Sequence, residues 1–177
     1  MPLIRPSHDA DLAAITAIYA HHVLHGTGTF ETAPPTAADM ARRRQEVLAR
    51  GLPWLVAEDG GRVLGYALCN WFKPRAGYRF SAEDAVYLQP EAQQRGLGRA
   101  LLAELALQAE HAGVRQLIAV IGDSANAASI GLHRSLGFAH AGTIPACGWK
   151  FGRWLDIVLM NKPLGAGSST PPLENAA

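Results

Sequence analysis

No stretch of the 177 residues is apolar for long enough to span a bilayer, which takes about 20 consecutive residues of helix. The opening MPLIRPSHDADL lacks the basic, apolar and small-residue order of a secretory leader. Cysteine is almost missing: Cys69 and Cys147 stand far apart in apolar stretches, with no paired spacing. Two buried, reduced thiols and a cytoplasmic setting are the expectation. The formal net charge of +1 exerts no general pull on nucleic acid or an anionic membrane, so neither is expected as a partner. His21 and His25 are four residues apart on one predicted helix, but no third ligand accompanies them and no metal is expected. There is no internal repeat. The chain does have apolar bulk. Hydrophobic residues make up 49% of it, enough at this length for one domain with its own core.

The stretch Ala85 to Ala106, AVYLQPEAQQRGLGRALLAELA, organises the rest. Its short apolar run to Leu88 reads as a strand, stopped at Pro90 because proline cannot donate to a central ladder. Polar residues follow to Gln94. Then Arg95-Gly96-Leu97-Gly98-Arg99-Ala100 runs into a helix with Leu101, Leu102, Leu105 and Leu107 on its apolar side. A helix start carries unpaired N–H groups and partial positive charge. Glycine lets that backbone approach a bulky anion such as a pyrophosphate, and Arg95 and Arg99 add charge beside it. Three readings stand: an ordinary strand-to-helix turn, a dinucleotide fold and a coenzyme A site. The second has Asp123 near the ribose-binding position, but Leu101 stands where the third glycine belongs. A P-loop is excluded, because no Gly-Lys-Ser/Thr follows.

Elsewhere, Leu3 to Arg5 reads as a strand and Ser7 as the N-cap of a helix through Leu12, Ile15, Ile18, Tyr19 and Val23, stopped by Gly26. Thr36 and Asp39 form a capping box for a polar helix to Arg50. Trp54–Glu58 and Val63–Trp71 flank the hairpin turn Asp59-Gly60-Gly61. A basic loop, Lys73 to Gly77, precedes a strand from Phe80 to Leu88. The glycine-loop helix ends near His111, and Leu117 to Ile121 is a strand apolar on both faces. A helix follows from Asn126 to Leu136. Phe138–Gly142 and Trp154–Met160 are the last strands, with Gly148 to Gly152 between them. This order implies an α+β fold with helices on both faces of the sheet. The two strands joined by the glycine-loop helix should be parallel, with a right-handed crossover. Residues 1–163 form one domain, and the Gly/Ser/Pro-rich 164–177 reads as a disordered tail.

Arg95, Gly98 and Ala100 resemble the R-x-x-G-x-G/A loop of the GNAT superfamily of N-acetyltransferases. Further segments resemble its phosphinothricin and methionine sulfoximine N-acetyltransferase branch. They are Ile4-Arg5-Pro6 with Asp11-Leu12, the PWLVAE strand at Pro53 to Glu58, and Tyr78 to Leu88 against Y-x-x-T-x-E-x-S-V-Y-V. Ile118 to Gly122 continues the match with Asn126, Ser129, His133 and Gly137-Phe138, and Gly148-x-Lys150-x-Gly152-x-Trp154-x-Asp156 completes it. The resemblance runs from Leu3 to Pro163. Departures are Ser81 for Thr, Ala85 for Ser or Thr, and Glu31 after Phe30 where some members carry Arg.

The resemblance implies a mixed, mostly antiparallel twisted sheet with one parallel pair at the coenzyme site, acetyl-CoA as cosubstrate, and a small amino-acid-like amine as acceptor, attacking directly. Glu83 is then the base, directly or through water, and His133 a catalytic or sulfur-side residue, in the place where many acetyltransferases carry a tyrosine that protonates the thiolate. Backbone groups of Val86, Tyr87 and Leu88 follow the pantetheine arm. Gln94, Arg95, Gly96, Leu97, Gly98, Arg99 and Ala100 hold the pyrophosphate, and Asn126 and Ser129 hydrogen-bond the coenzyme. A two-fold homodimer is implied too, with Gly148 to Trp154 near the interface.

The residues also admit plainer readings. Glu83 can be a solvated strand carboxylate, and it has a rival in Asp84. Adjacent strand residues point to opposite faces, so one of the pair should face the cleft. His133 can be a helix-surface histidine, and Asn126 and Ser129 simple N-caps. Lys73 and Arg75 suit a substrate carboxylate or a solvated loop. Phe30 and Tyr78 wall a substrate pocket or fill the core. The C-terminal aromatics fit a partner surface or the core.

Overall fold

The computed structural model describes residues 2–172. In chain order the elements are β1 (Leu3–Pro6), α1 (Leu12–His25), α2 (Ala37–Ala49), β2 (Trp54–Asp59), β3 (Arg62–Trp71), β4 (Ser81–Leu88), α3 (Leu97–His111), β5 (Gln116–Gly122), α4 (Ala127–Ser135), β6 (Ala139–Lys150) and β7 (Arg153–Pro163). Among the described residues the strands form one seven-stranded sheet, ordered β1-β2-β3-β4-β5-β7-β6. Every neighbouring pair is antiparallel except β4 and β5. α1 and α2 pack together against the sheet, while α3 lies along β1 to β4 with α4 beside it. The fold is the expected α+β architecture.

Local chemistry explains most of the elements. Ile15, Ile18, Tyr19 and Val23 of α1 are buried, as their helical spacing requires. The capping box on α2 forms: the Asp39 N–H donates to Thr36 Oγ1 and the Thr36 N–H to Asp39 Oδ2, both at 3.1 Å. The β2–β3 turn places Gly60 and Gly61 at φ +57° and +83°, the left-handed pair that a two-residue hairpin needs. Leu101, Leu102 and Leu105 of α3 are fully buried, each contributing about 1.5–3 kcal/mol.

Several expectations are corrected. The cap before α1 belongs to His8, whose N–H donates to Asp11 Oδ2 at 2.8 Å. Ser7 instead accepts from Arg44 Nε at 2.7 Å, because α2 lies across it. Gly26 ends α1 in extended geometry, φ −117°, so the chain turns toward the sheet and not into a left-handed stop. Leu107 is exposed, one position off the buried stripe. Cys69 is buried, but Cys147 is exposed on β6. The last two strands are much longer than their apolar runs. They meet in a two-residue turn, Phe151-Gly152, so Gly148 to Lys150 are strand. Leu164, the first residue of the expected tail, is buried, and its N–H donates to Arg115 O at 3.1 Å. Residues 173–177 of that segment lie outside the described residues.

Candidate active site

The parallel pair opens like a fork. β4 and β5 are in register only from Ser81↔Gln116 to Asp84↔Ala119. Beyond that point Ala85–Leu88 and Val120–Gly122 diverge, while their far edges stay paired to β3 and β7. Two rows of main-chain N–H and C=O groups are thus left facing a cleft of about 940 Å³. An extended chain with amide groups can dock there as a strand would.

The glycine loop closes one end of the cleft. Gly96 caps α3 at φ +78° and Gln94 precedes it at φ +58°. Leu97 is buried against Leu64 and Ala92, so its side chain anchors the loop and only its backbone is on offer. Gly98 lines the cleft, and a Cβ there would meet Leu132 and Leu88 at 3.5 Å. The amide-rich start of α3, with Arg99 lining the same wall, has the chemistry that suits a phosphate-bearing ligand. Amide edges along the fork and an anion site at its end fit the two halves of coenzyme A.

Glu83 and Asp84 both line the cleft. The expectation that only one would do so fails because the cleft runs through the sheet, between strands, and not along one face. Burial raises the pKa of Glu83, the Asp84 charge raises it further, and Lys73 pulls it back. Asp84 is committed elsewhere. Its Oδ2 accepts from His133 Nε2 at 2.9 Å, with the two side chains only 1% and 6% exposed. His133 Nδ1 lies 2.7 Å from Ser129 O. With acceptors at both ring nitrogens, the surroundings favour the doubly protonated ring. Burial disfavours that charge, yet the hydrogen bond and charge of Asp84 win, and the His133 pKa is raised. Both ring nitrogens are therefore engaged within the protein, one of them in a buried pair with Asp84.

Of the other predicted residues, Val86, Tyr87, Leu88, Gln94, Gly96, Asn126, Ser129 and Phe30 line the cleft. Asn126 also caps α4, accepting from the Ser129 N–H at 3.2 Å, and the cap leaves it on the cleft wall. Arg95, Leu97 and Ala100 do not line it, and neither do Lys73, Arg75 and Tyr78. The last three are exposed on the segment between β3 and β4, although the Lys73 charge reaches Glu83. Tyr19, His22 and Thr27 to Thr29 line the cleft unanticipated, and Asp123, weighed in the sequence only as a ribose-binding acid, lines it too. His22 Nε2 lies 2.8 Å from Leu88 O, and burial keeps the ring below its usual pKa. Tyr19 hydroxyl lies 2.9 Å from both Thr29 Oγ1 and Glu31 Oε1. Only the helical spacing of Tyr19 and His22 hinted at this, and it does not say which face meets the sheet. Among the described residues no group of three His, Cys, Asp or Glu could hold a metal ion, and no helix is long and apolar enough to cross a membrane.

A forked parallel pair with a glycine-capped helix at its end defines a class, and the chain belongs to it: residues 15–138 match the Acetyltransferase (GNAT) family. Two curated relatives are more specific. The phosphinothricin N-acetyltransferase of Alcaligenes faecalis is 52% identical over 96% of this chain and 86% of its own length. The L-methionine sulfoximine/L-methionine sulfone acetyltransferase of Salmonella typhimurium is 42% identical over 91% of this chain and 94% of its own. The crystal structure of a GNAT phosphinothricin acetyltransferase from Sinorhizobium meliloti, in complex with acetyl-CoA, superposes with a TM-score of 0.95 at 46% identity, covering 98% of this chain and 94% of that one. The protein is an N-acetyltransferase that uses acetyl-CoA.

Proposed function

We propose that the protein acetylates the amino group of a small amino acid analogue of the phosphinothricin or methionine sulfoximine type. The observation that carries this reading is the position of Glu83, half-buried in the cleft at the branch of the fork with its pKa raised. An ammonium docked there loses its proton to Glu83, and the freed nitrogen attacks the thioester carbonyl. The N–C bond forms, the C–S bond breaks, the thiolate leaves with its electron pair, and the remaining extra proton on the nitrogen passes to the thiolate to give the amide and the free thiol. Free N–H groups of β4 polarise the carbonyl as charge builds on its oxygen. The fork and the loop align the two substrates, which can contribute about 7–11 kcal/mol.

In this reading His133 positions: it pairs with Asp84 and offsets part of the charge that Asp84 places beside Glu83. Lys73 and Arg75 remain the candidate carboxylate anchors, and the influence of Lys73 on Glu83 supports the first of them. A homodimer in the cytoplasm completes the proposal, the latter supported by the free thiols Cys69 and Cys147.

The test is thiol release from acetyl-CoA with a panel of amines. Phosphinothricin, methionine sulfoximine and methionine sulfone should turn over well, and their decarboxylated analogues, polyamines and peptide N-termini poorly. Equal rates with and without the carboxylate remove the anchor. Turnover of peptides alone removes the substrate class.

A further inference from the structure

Lys150, the last residue of β6, is 4% exposed, and burial lowers its pKa against a smaller opposing pull from Glu31. Its Nζ donates to Gly26 O and to Thr29 O, both at 2.8 Å, and stands 5.0 Å from the centre of the Phe151 ring. Those carbonyls begin and almost end the segment Gly26 to Phe30, which leaves α1 and lines the cleft. The segment lies tight on the sheet. A Cβ at Gly122 would come 2.0 Å from Thr27 O, and one at Gly148 would come 2.3 Å from the Phe30 ring. All these contacts are at the ends of β5 and β6, away from the glycine loop.

We propose that Lys150 is a positioning residue for the acceptor side of the cleft: its buried ammonium ties Gly26 O and Thr29 O together and clamps the wall that carries Phe30. A buried charge is costly unless it is paired or hydrogen-bonded, so this ammonium has a fixed place and fixes what it touches. Gly122 and Gly148 supply the room that lets the wall come down. Lys150 lies behind the wall and touches neither substrate. The inference rests on the acetyltransferase reading above for the identity of the acceptor, but the clamp itself does not.

Two variants test it, Lys150→Met and Gly148→Ala, the second in case loss of the buried charge prevents folding. In either, the KM for the amine should rise about tenfold or more, as misplacement of a bound substrate does, with a smaller change in kcat. Acetyl-CoA affinity, read by direct titration, should stay unchanged. Hydrogen exchange of the peptide spanning residues 24–31 should speed up. A folded variant with unchanged amine KM or unchanged exchange of that peptide overturns the clamp, as does a parallel loss of acetyl-CoA affinity. If the wild type accepts no carboxylate-bearing amine, the functional reading fails, while the exchange measurement still decides the clamp.

Discussion

Glu83 and Asp84 are neighbours carrying the same group, and burial assigns them different work. A free glutamate titrates near pH 4.3, so a carboxyl raised by burial and by Asp84 becomes a competent base only above its shifted value. The acid limb of the kcat/KM profile should therefore lie above the usual glutamate range. Glu83→Gln should lower turnover about tenfold or more, with acetyl-CoA binding retained, and should remove that limb. Lys73→Met should move the limb upward, because Lys73 pulls the Glu83 pKa down; a downward move refutes the assignment. Asp84 is a matter of stability. Removing one member of a buried ion pair costs about 3–5 kcal/mol, and Asp84→Asn should show that loss in denaturant unfolding. The raised His133 pKa means its contribution is complete below about pH 6.5, its unfolded value, and is lost as pH rises through the folded value. Wild-type Tm should fall across that window, and the Asp84→Asn variant should not show the fall. Glu83 was singled out through the family resemblance, since its place on the strand before the glycine loop fits a solvated carboxylate as well. The pairing of Asp84 with His133, 49 residues away, was not legible in the sequence, because no local spacing encodes which helix face meets which strand.

At the scale of the element, α2, α4 and the first hairpin could be read because capping or turn chemistry marks them, whereas α1 and α3 were read from apolar spacing, and the caps of α1 were misplaced. β6 and β7 could not be read at full length. Much of β6 is exposed, and the turn between the strands places Phe151 at φ +52° beside Gly152 at +71°, a conformation that a bulky aromatic does not advertise. The glycine loop was legible as a loop, but its two glycines do different things. Gly96 holds a left-handed cap with open space around it, so Gly96→Ala should cost about 1 kcal/mol through strain and pull the α3 amides off the coenzyme. At Gly98 a lone Cβ would make only ordinary contact with Leu88 and Leu132 at 3.5 Å, but the branches of a larger side chain reach past it. Gly98→Val should overpack that contact by about 1–3 kcal/mol, push Leu88 into the fork and weaken acetyl-CoA binding severely. A folded Gly98→Val protein with wild-type affinity in titration would show that this wall does not shape the site.

At the scale of the molecule, the sheet ends in one short edge and one long one. β1 has four residues and closes on Pro6, whereas β6 has twelve. Long exposed edges invite pairing, and this one carries large apolar side chains beside it. Trp149, Phe151 and Trp154 are 57%, 53% and 62% exposed, and Ile144 is 45%. Phe138, Leu155 and Met160, by contrast, are buried in the monomer, so the C-terminal aromatic load is divided between core and surface. Trp149 and Trp154 already pack edge to face, centres 5.3 Å apart, which presents a preformed apolar ridge of the kind that marks a contact surface. The same hairpin is bolted to the cleft: Arg153 pairs with Asp123 at 2.7 Å, Asp156 accepts from Ser124 Oγ at 2.6 Å, and Lys150 holds the acceptor wall. Covering the ridge with a second copy would steady these attachments from outside. The expected state is thus a homodimer with an isologous interface through the hairpin, and light scattering at micromolar concentration should give twice the chain mass. Trp154→Glu places an unpaired charge on the ridge and should give a monomer whose amine KM is raised while its acetyl-CoA affinity holds. A wild-type protein that scatters as a monomer at full activity would show that the ridge serves no partner of its own kind.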